Sequence, residues 1–161
     1  MVGSSLLASG VAFEMVSRSD SKVKAEIADW QDGYVFSIGV LPDGPAVSFM
    51  KRGDQICYLG KGYKNPQLRF LFKSLDSALL VLTGQIGSHI ASAQHRTIVH
   101  GNLAEAMQVS RVMNIVQTYL YPAFVLKKTM KRPAKLTSAQ LLLKAWVIAT
   151  LPVGMLANIG K

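Results

Sequence analysis

Hydrophobic and polar positions change period several times along the chain, and each change marks an element. Leu6, Leu7, Val11 and Met15 recur at helical spacing, until the polar stretch Ser17-Arg18-Ser19-Asp20 ends the run. Val23, Ile27 and Trp30 repeat at i, i+4 and i+7, which predicts a second short helix stopped by Gln31-Asp32-Gly33. From Tyr34 the period becomes two. Tyr34, Phe36, Ile38 and Val40 face one way, with Val35, Ser37 and Gly39 opposite. Pro42-Asp43-Gly44-Pro45 is a turn, Ala46 to Met50 the returning strand, and Arg52-Gly53-Asp54 a tight turn into Gln55 to Leu59. Gly60 to Pro66 reads as a loop, and Gln67 to Phe72 as a fourth strand with Leu68, Phe70 and Phe72 on one face. The pattern predicts a meander of short antiparallel strands with helices on either side.

Beyond the strands, Ser74 is a good N-cap for a helix so rich in leucine, valine and alanine that it keeps little polar face. Gly84 and Gly87 cut it from a weaker apolar stripe, Ile86, Ile90 and Ala93. A strand is expected from His95 to Val99. Asn102 then caps a long helix, with Glu105 in its first turn where the helix dipole favours a carboxylate. Leu103, Ala106, Met107, Ser110, Met113 and Val116-Gln117 are its expected inward face. The fold class is α+β, a small and mainly antiparallel sheet covered by helices, with helical extensions at both ends.

Composition narrows the class. The 161 residues suit a single domain large enough to bury a core, and half of them are hydrophobic with 17% charged. The one cysteine, Cys57, forms no internal disulfide, which favours a reducing compartment. The first ten residues lack the basic lead and long apolar run of a secretory signal, so a cytoplasmic protein is the expectation.

Charge is uneven. Residues 106–161 hold eight of the eighteen basic residues and none of the nine acidic ones, so nearly all of the formal +9 lies there. Lys127, Lys128, Lys131, Arg132 and Lys135 are its densest part. Such a field attracts an anionic membrane surface, nucleic acid or an acidic partner, or else serves solubility.

Chemistry is scarce. The three histidines, His89, His95 and His100, form no metal-ligand pattern, and an odd spacing on one strand points His95 and His100 to opposite faces. Cys57 sits in an apolar strand as a buried thiol, the carboxylates are scattered, and neither a nucleophile elbow nor a phosphate-binding loop is present. No catalytic constellation, metal site or cofactor is expected.

In order and spacing, the second half of the chain resembles the sterol carrier protein type-two family. The pieces that carry the likeness are Leu79-Leu80-Val81-Leu82-Thr83-Gly84, Ala91-Ser92-Ala93, Thr97-Ile98-Val99-His100-Gly101-Asn102 and Leu103-Ala104-Glu105-Ala106-Met107. The strands from Tyr34 to Phe72 fit the first half of that domain, so the likeness covers about residues 20–121. It implies a sheet and helices enclosing a hydrophobic cavity for sterols, fatty acyl chains or similar lipids, without catalysis. Residues 1–19 form an N-terminal helix longer than such a domain requires, and residues 122–161 extend past its usual end.

With that family in view, the expected cavity wall is Leu79, Leu82, Ile86, Ile90, Met107, Met113, Val116, Leu120 and Trp146, with Met130 as a flexible filler. Tyr119, Tyr121 and Gln117 are the expected polar groups at its mouth. The extension adds the basic cluster Lys127, Lys128, Lys131, Arg132 and Lys135 for membrane docking. After it comes an apolar stretch, Leu141 to Ile159, interrupted by Lys144, Pro152 and Asn158. Pro152 and Gly154 weaken a spanning helix there. An amphipathic or core helix closes the cavity, packs a second copy in a homodimer, or lies in a membrane interface. The expected function is non-enzymatic binding and carrying or presenting of a hydrophobic ligand at a membrane surface. An accessory role in a lipid-soluble pathway such as isoprenoid quinone synthesis is the alternative. Nucleic-acid binding ranks below both, because the basic stretch lacks interleaved aromatics for base stacking.

Overall fold

The computed structural model describes residues 2–121, 125–126, 138, 140–142 and 144–149, with side chains from Leu6 onward. Five helices and five strands run in the order α1 (Val2–Ser19), α2 (Ser21–Ile27), β1 (Val35–Val40), β2 (Ala46–Arg52), β3 (Gln55–Lys61), β4 (Leu68–Phe72), α3 (Leu75–Leu82), α4 (Ser88–Ala93), β5 (Thr97–His100) and α5 (Leu103–Leu120). Residues 140–142 and 144–149 are helical as well.

Local chemistry sets the helix starts. The Asp20 carboxylate accepts from the amides of Lys22 and Val23 at the head of α2, Ser74 Oγ accepts from Ser77 N at α3, and Asn102 Oδ1 accepts from Ala104 N at α5. Such caps satisfy amide groups that have no partner within the helix. At the far end of α2, the buried Lys51 ammonium donates to the carbonyl of Ala28 at 3.2 Å and to that of Trp30.

The strand order is β3-β2-β1-β4-β5. β1 lies antiparallel to β2, β2 to β3 and β4 to β5, but β1 and β4 run parallel, with Phe36 opposite Leu68 and Val40 opposite Phe72. The simple meander is thus corrected. After three consecutive strands the chain crosses the sheet and seats β4 beside β1, which becomes an interior strand. The last strand is also shifted. It begins at Thr97, and His95 precedes it in a left-handed turn conformation with φ 53°, so the two histidines do not share a strand.

One sheet face carries the core. Phe36 stacks on Phe49 with ring centroids 4.9 Å apart, and Phe13 from α1 lies 5.0 Å from Phe49. Helix α1 lies across this face, and Gly10 lets it approach, since a Cβ there would stand 2.9 Å from the Tyr58 ring. The opposite face is polar at its centre. Ser37 donates to Ser48, which donates in turn to the Gly62 carbonyl, both at 2.6 Å, while Tyr63 closes over Gly39 with the Arg69 guanidinium 5.3 Å from its ring. Cys57 belongs to this second side and is half-buried rather than enclosed, because the period of two turns Ile56 and Tyr58 inward and Cys57 out.

Candidate functional site

Helix α5 is held firmly on the side of α1 and α2. At its start, Tyr34 donates to the Glu105 carboxylate at 2.5 Å and Trp30 Nε1 donates to Gln108 at 2.5 Å. In the middle, Arg111 pairs with Glu26 at 2.8 Å. Near its end, Tyr119 donates to Asp20, whose second oxygen caps α2. Burial, reinforced by the neighbouring carboxylate, pushes the phenols of Tyr34 and Tyr119 well above the usual tyrosine range.

The other side of α5, toward α3 and α4, is held more lightly. Ser88 donates to Asn114 at 2.7 Å, Tyr121 donates to the Leu82 carbonyl, and the buried Gln117 amide reaches the Val81 carbonyl at 3.5 Å. Burial pushes the Tyr121 phenol up to about 12. The corner between α3 and α4 runs through Gly84, with φ +70°, and Gly87. Gly84 has no room for a side chain, since a Cβ would lie 2.7 Å from Val125 and 3.2 Å from the Tyr121 ring. Helix α4 has six residues, no side-chain cap at its start and only Ser88 and Ala91 buried. A short helix with so little buried surface opens at low cost compared with the sheet.

The expected wall residues divide along this geometry. Leu82, Met113, Val116 and Tyr119 lie in one buried cluster, with Leu79, Ile86 and Leu120 half-buried against it. That cluster is the common core, and Tyr119 lies on its Asp20 side; the seam between α5 and the α3–α4 corner is marked by the Ser88–Asn114, Gln117–Val81 and Tyr121–Leu82 hydrogen bonds. Ile90 is half-buried on α4, outside that cluster. Met107 and Trp146 face outward, 56% and 52% exposed. The inward face of α5 is Ala106, Val109, Val112, Met113, Val116 and Gln117 rather than the set led by Leu103 and Met107. Tyr119 and Gln117 are buried, at 1% and 6% exposure, so they are internal ties and not groups at an open mouth. Met130 and the basic cluster Lys127, Lys128, Lys131, Arg132 and Lys135 lie outside the described residues.

Above the seam, α4 and α5 leave an open groove of about 380 Å³, lined by Ser88, His89, Ser92, Met107, Ser110, Arg111 and Asn114. Its size falls in the range of small-molecule sites, and its lining combines the apolar Met107 with hydroxyl, amide and imidazole groups, while the Arg111 guanidinium is engaged by Glu26. A second cleft, about 480 Å³, lies between Trp30, Tyr34, Gln67, Glu105 and Gln108, but its polar groups already bond to one another. A third cleft, about 490 Å³, lies between Leu6, Gly44, Pro45, Ala46, Val47, Lys61 and Gly62. Sequence periodicity had no access to the groove, because its lining comes from the outer sides of two helices.

Among the described residues no group of three or more His, Cys, Asp or Glu side chains is placed to hold a metal, and no helix is long and apolar enough to cross a membrane. No family model matches the chain, and no curated protein matches it. Solved structures do. A crystal structure of sterol carrier protein 2 superposes with a TM-score of 0.51 at 13% identity, covering 68% of this chain and 93% of its own. A UbiJ-SCP2 ubiquinone synthesis protein gives 0.45 at 10% identity, covering 66% and 87%. Sterol carrier protein 2 from Yarrowia lipolytica gives 0.44 at 12% identity, again covering 66% and 87%. A five-stranded sheet in the order found here, flanked by helices and matched over nearly the whole of sterol carrier protein 2, gives this chain the sterol carrier protein type-two fold.

Proposed function

We propose that the protein binds a hydrophobic ligand, such as a fatty acyl, sterol-like or isoprenoid lipid, and carries or presents it at a membrane surface without chemical change. The carrying observation is the seam between α3, α4 and α5. Leu79, Ile86 and Leu120 are apolar side chains half-buried against the core, and an open groove lies between α4 and α5. Helix α4, one wall of that groove, has few buried residues and two glycines before it. A ligand that parted the helices would exchange one apolar contact for another, and each methylene it buried would contribute about 0.8 kcal/mol. The acid-free stretch from residue 106 onward supports the membrane part of this reading by charge alone.

Clamping the seam tests the route. In a Cys57→Ser background, Ser88→Cys and Asn114→Cys place thiols where the native side-chain oxygens are 2.7 Å apart. Uptake of a fluorescent fatty acid should be fast in the reduced protein and suppressed after oxidation. Identical uptake in both states would show that the ligand does not pass this way. Native mass spectrometry of gently purified wild-type protein should also reveal bound lipid. Recovery of a biosynthetic enzyme instead, with no lipid exchange, would favour the accessory role in a lipid-soluble pathway.

A further inference from the structure

From the two-sided C-terminal helix we infer that residues 140–142 and 144–149 form an interfacial anchor whose outer face enters an anionic bilayer. This deepens the membrane part of the proposed function. The inner side of the helix is fixed to the fold by polar groups. Lys144 donates to the carbonyls of Thr118 and Tyr121 at 2.9 and 2.5 Å, Gln140 donates to Asp20 at 3.3 Å, and Val147 is fully buried. Lysine at that point meets the last carbonyls of α5, where the helix dipole favours a cation, although burial lowers its basicity.

With Lys144 turned inward, the outward face is apolar among the described residues. Leu142 is 74% exposed, and Leu141, Trp146 and Ile148 are at least half exposed, with Ala145 and Ala149 beside them. Such a face is the reverse of an ordinary surface helix, whose charged residues point to water. Charge decides the occupant. Five basic residues, from Lys127 to Lys135, precede this helix directly in sequence, and no acid follows Glu105. An apolar face beside a one-sign basic stretch complements an anionic lipid surface, each anchor being weak alone and useful with the other. A second copy of the chain would bring the same positive charge against itself.

The two tryptophans make a direct test possible. Trp30 is buried and bonded to Gln108, so its emission should not respond to vesicles, whereas Trp146 is half exposed on the proposed face. The full chain is titrated with phosphatidylglycerol vesicles, phosphatidylcholine vesicles and buffer, with no added ligand. A blue shift with the anionic vesicles only, lost in Trp146→Phe, is the expected result. Leu142→Ala should weaken partitioning by about tenfold, since most of that side chain starts in water. The exposed position makes misfolding of this variant easy to exclude by its urea midpoint. Absence of a shift with anionic vesicles, or an equal shift with neutral ones, would overturn the inference. So would a blue shift that tracks protein concentration without lipid and accompanies a dimer in sedimentation. Docking needs no acyl probe, so a protein that docks but takes up no fatty acid would refute the carrier reading alone.

Discussion

Asp20 is the group whose loss should be felt most widely, and its cost can be worked out contact by contact. One carboxylate oxygen caps α2 through Lys22 N at 2.7 Å and Val23 N at 3.3 Å, while the other accepts from Tyr119 and from Gln140. The residue is 3% exposed, so water does not replace these partners freely. Asp20→Ala removes an N-cap, worth about 1 kcal/mol. It also strands the fully buried Tyr119 hydroxyl, which costs about 1–3 kcal/mol more. A total near 3 kcal/mol is a large part of ordinary domain stability and corresponds to about 6–12 °C in Tm for a chain of this size. Urea denaturation followed by circular dichroism gives the loss directly. Asp20→Asn keeps a capping oxygen and a polar neighbour for Tyr119, so it should cost only about 1 kcal/mol. Asp20→Ala/Tyr119→Phe should recover much of the loss attributed to the stranded hydroxyl, as a double-mutant cycle would show. A loss under about 1 kcal/mol in Asp20→Ala, or no recovery in the double variant, would refute the assignment of Asp20 as the tie between α2 and α5.

Two further outcomes follow from single hydroxyl groups. The Tyr58 hydroxyl is buried with no hydrogen-bond partner, so Tyr58→Phe should be neutral or stabilising by up to about 2 kcal/mol, and a clear loss in the urea midpoint would contradict the orphan. Alkaline pH should destabilise the protein. Burial raises the Tyr121 phenol to about 12, above its value of about 10 in the unfolded chain, so the folded state holds more protons between those values. The stabilisation is complete below pH 10 and is lost as pH rises toward 12. Lys144 acts in the opposite sense below the ordinary lysine range. Urea midpoints measured from pH 8 to 11.5 should fall most steeply above about pH 10. Tyr34 and Tyr119 contribute to the same fall, so Tyr121→Phe should lessen it in part, and an unchanged slope would assign it to the other buried tyrosines.

Much of the fold could be read from the sequence where its cause is local. Ser74 and Asn102 cap the helices they were expected to cap, and Leu68, Phe70 and Phe72 share the buried face that a period of two requires. Strand order could not be read that way. The parallel pairing of β1 with β4 is set by contacts thirty residues apart, and its only sign in sequence is that Ser37 and Gly39 are small enough to be enclosed. The inward face of α5 was displaced for a related reason. Leu103 and Met107 fit a helical period, but the buried set Ala106, Val109, Val112, Met113 and Val116 shows that the face turned to the core is rotated away from them.

Lys144 shows most sharply how position alters a residue's meaning. In sequence it only interrupts an apolar run. In the fold it takes the carbonyls at the end of α5, including that of Tyr121, whose own hydroxyl donates to the end of α3. Together with Gln140 on Asp20 and the buried Val147, it turns one side of the C-terminal helix inward and leaves Leu142, Trp146 and Ile148 outward. The same contacts reach Tyr121, which also packs against Gly84 at the α3–α4 corner. A force that drew the helix toward a bilayer would act first on the Lys144 bonds to Thr118 and Tyr121, and the next bond along the chain of contacts is the one from Tyr121 to Leu82 at the seam.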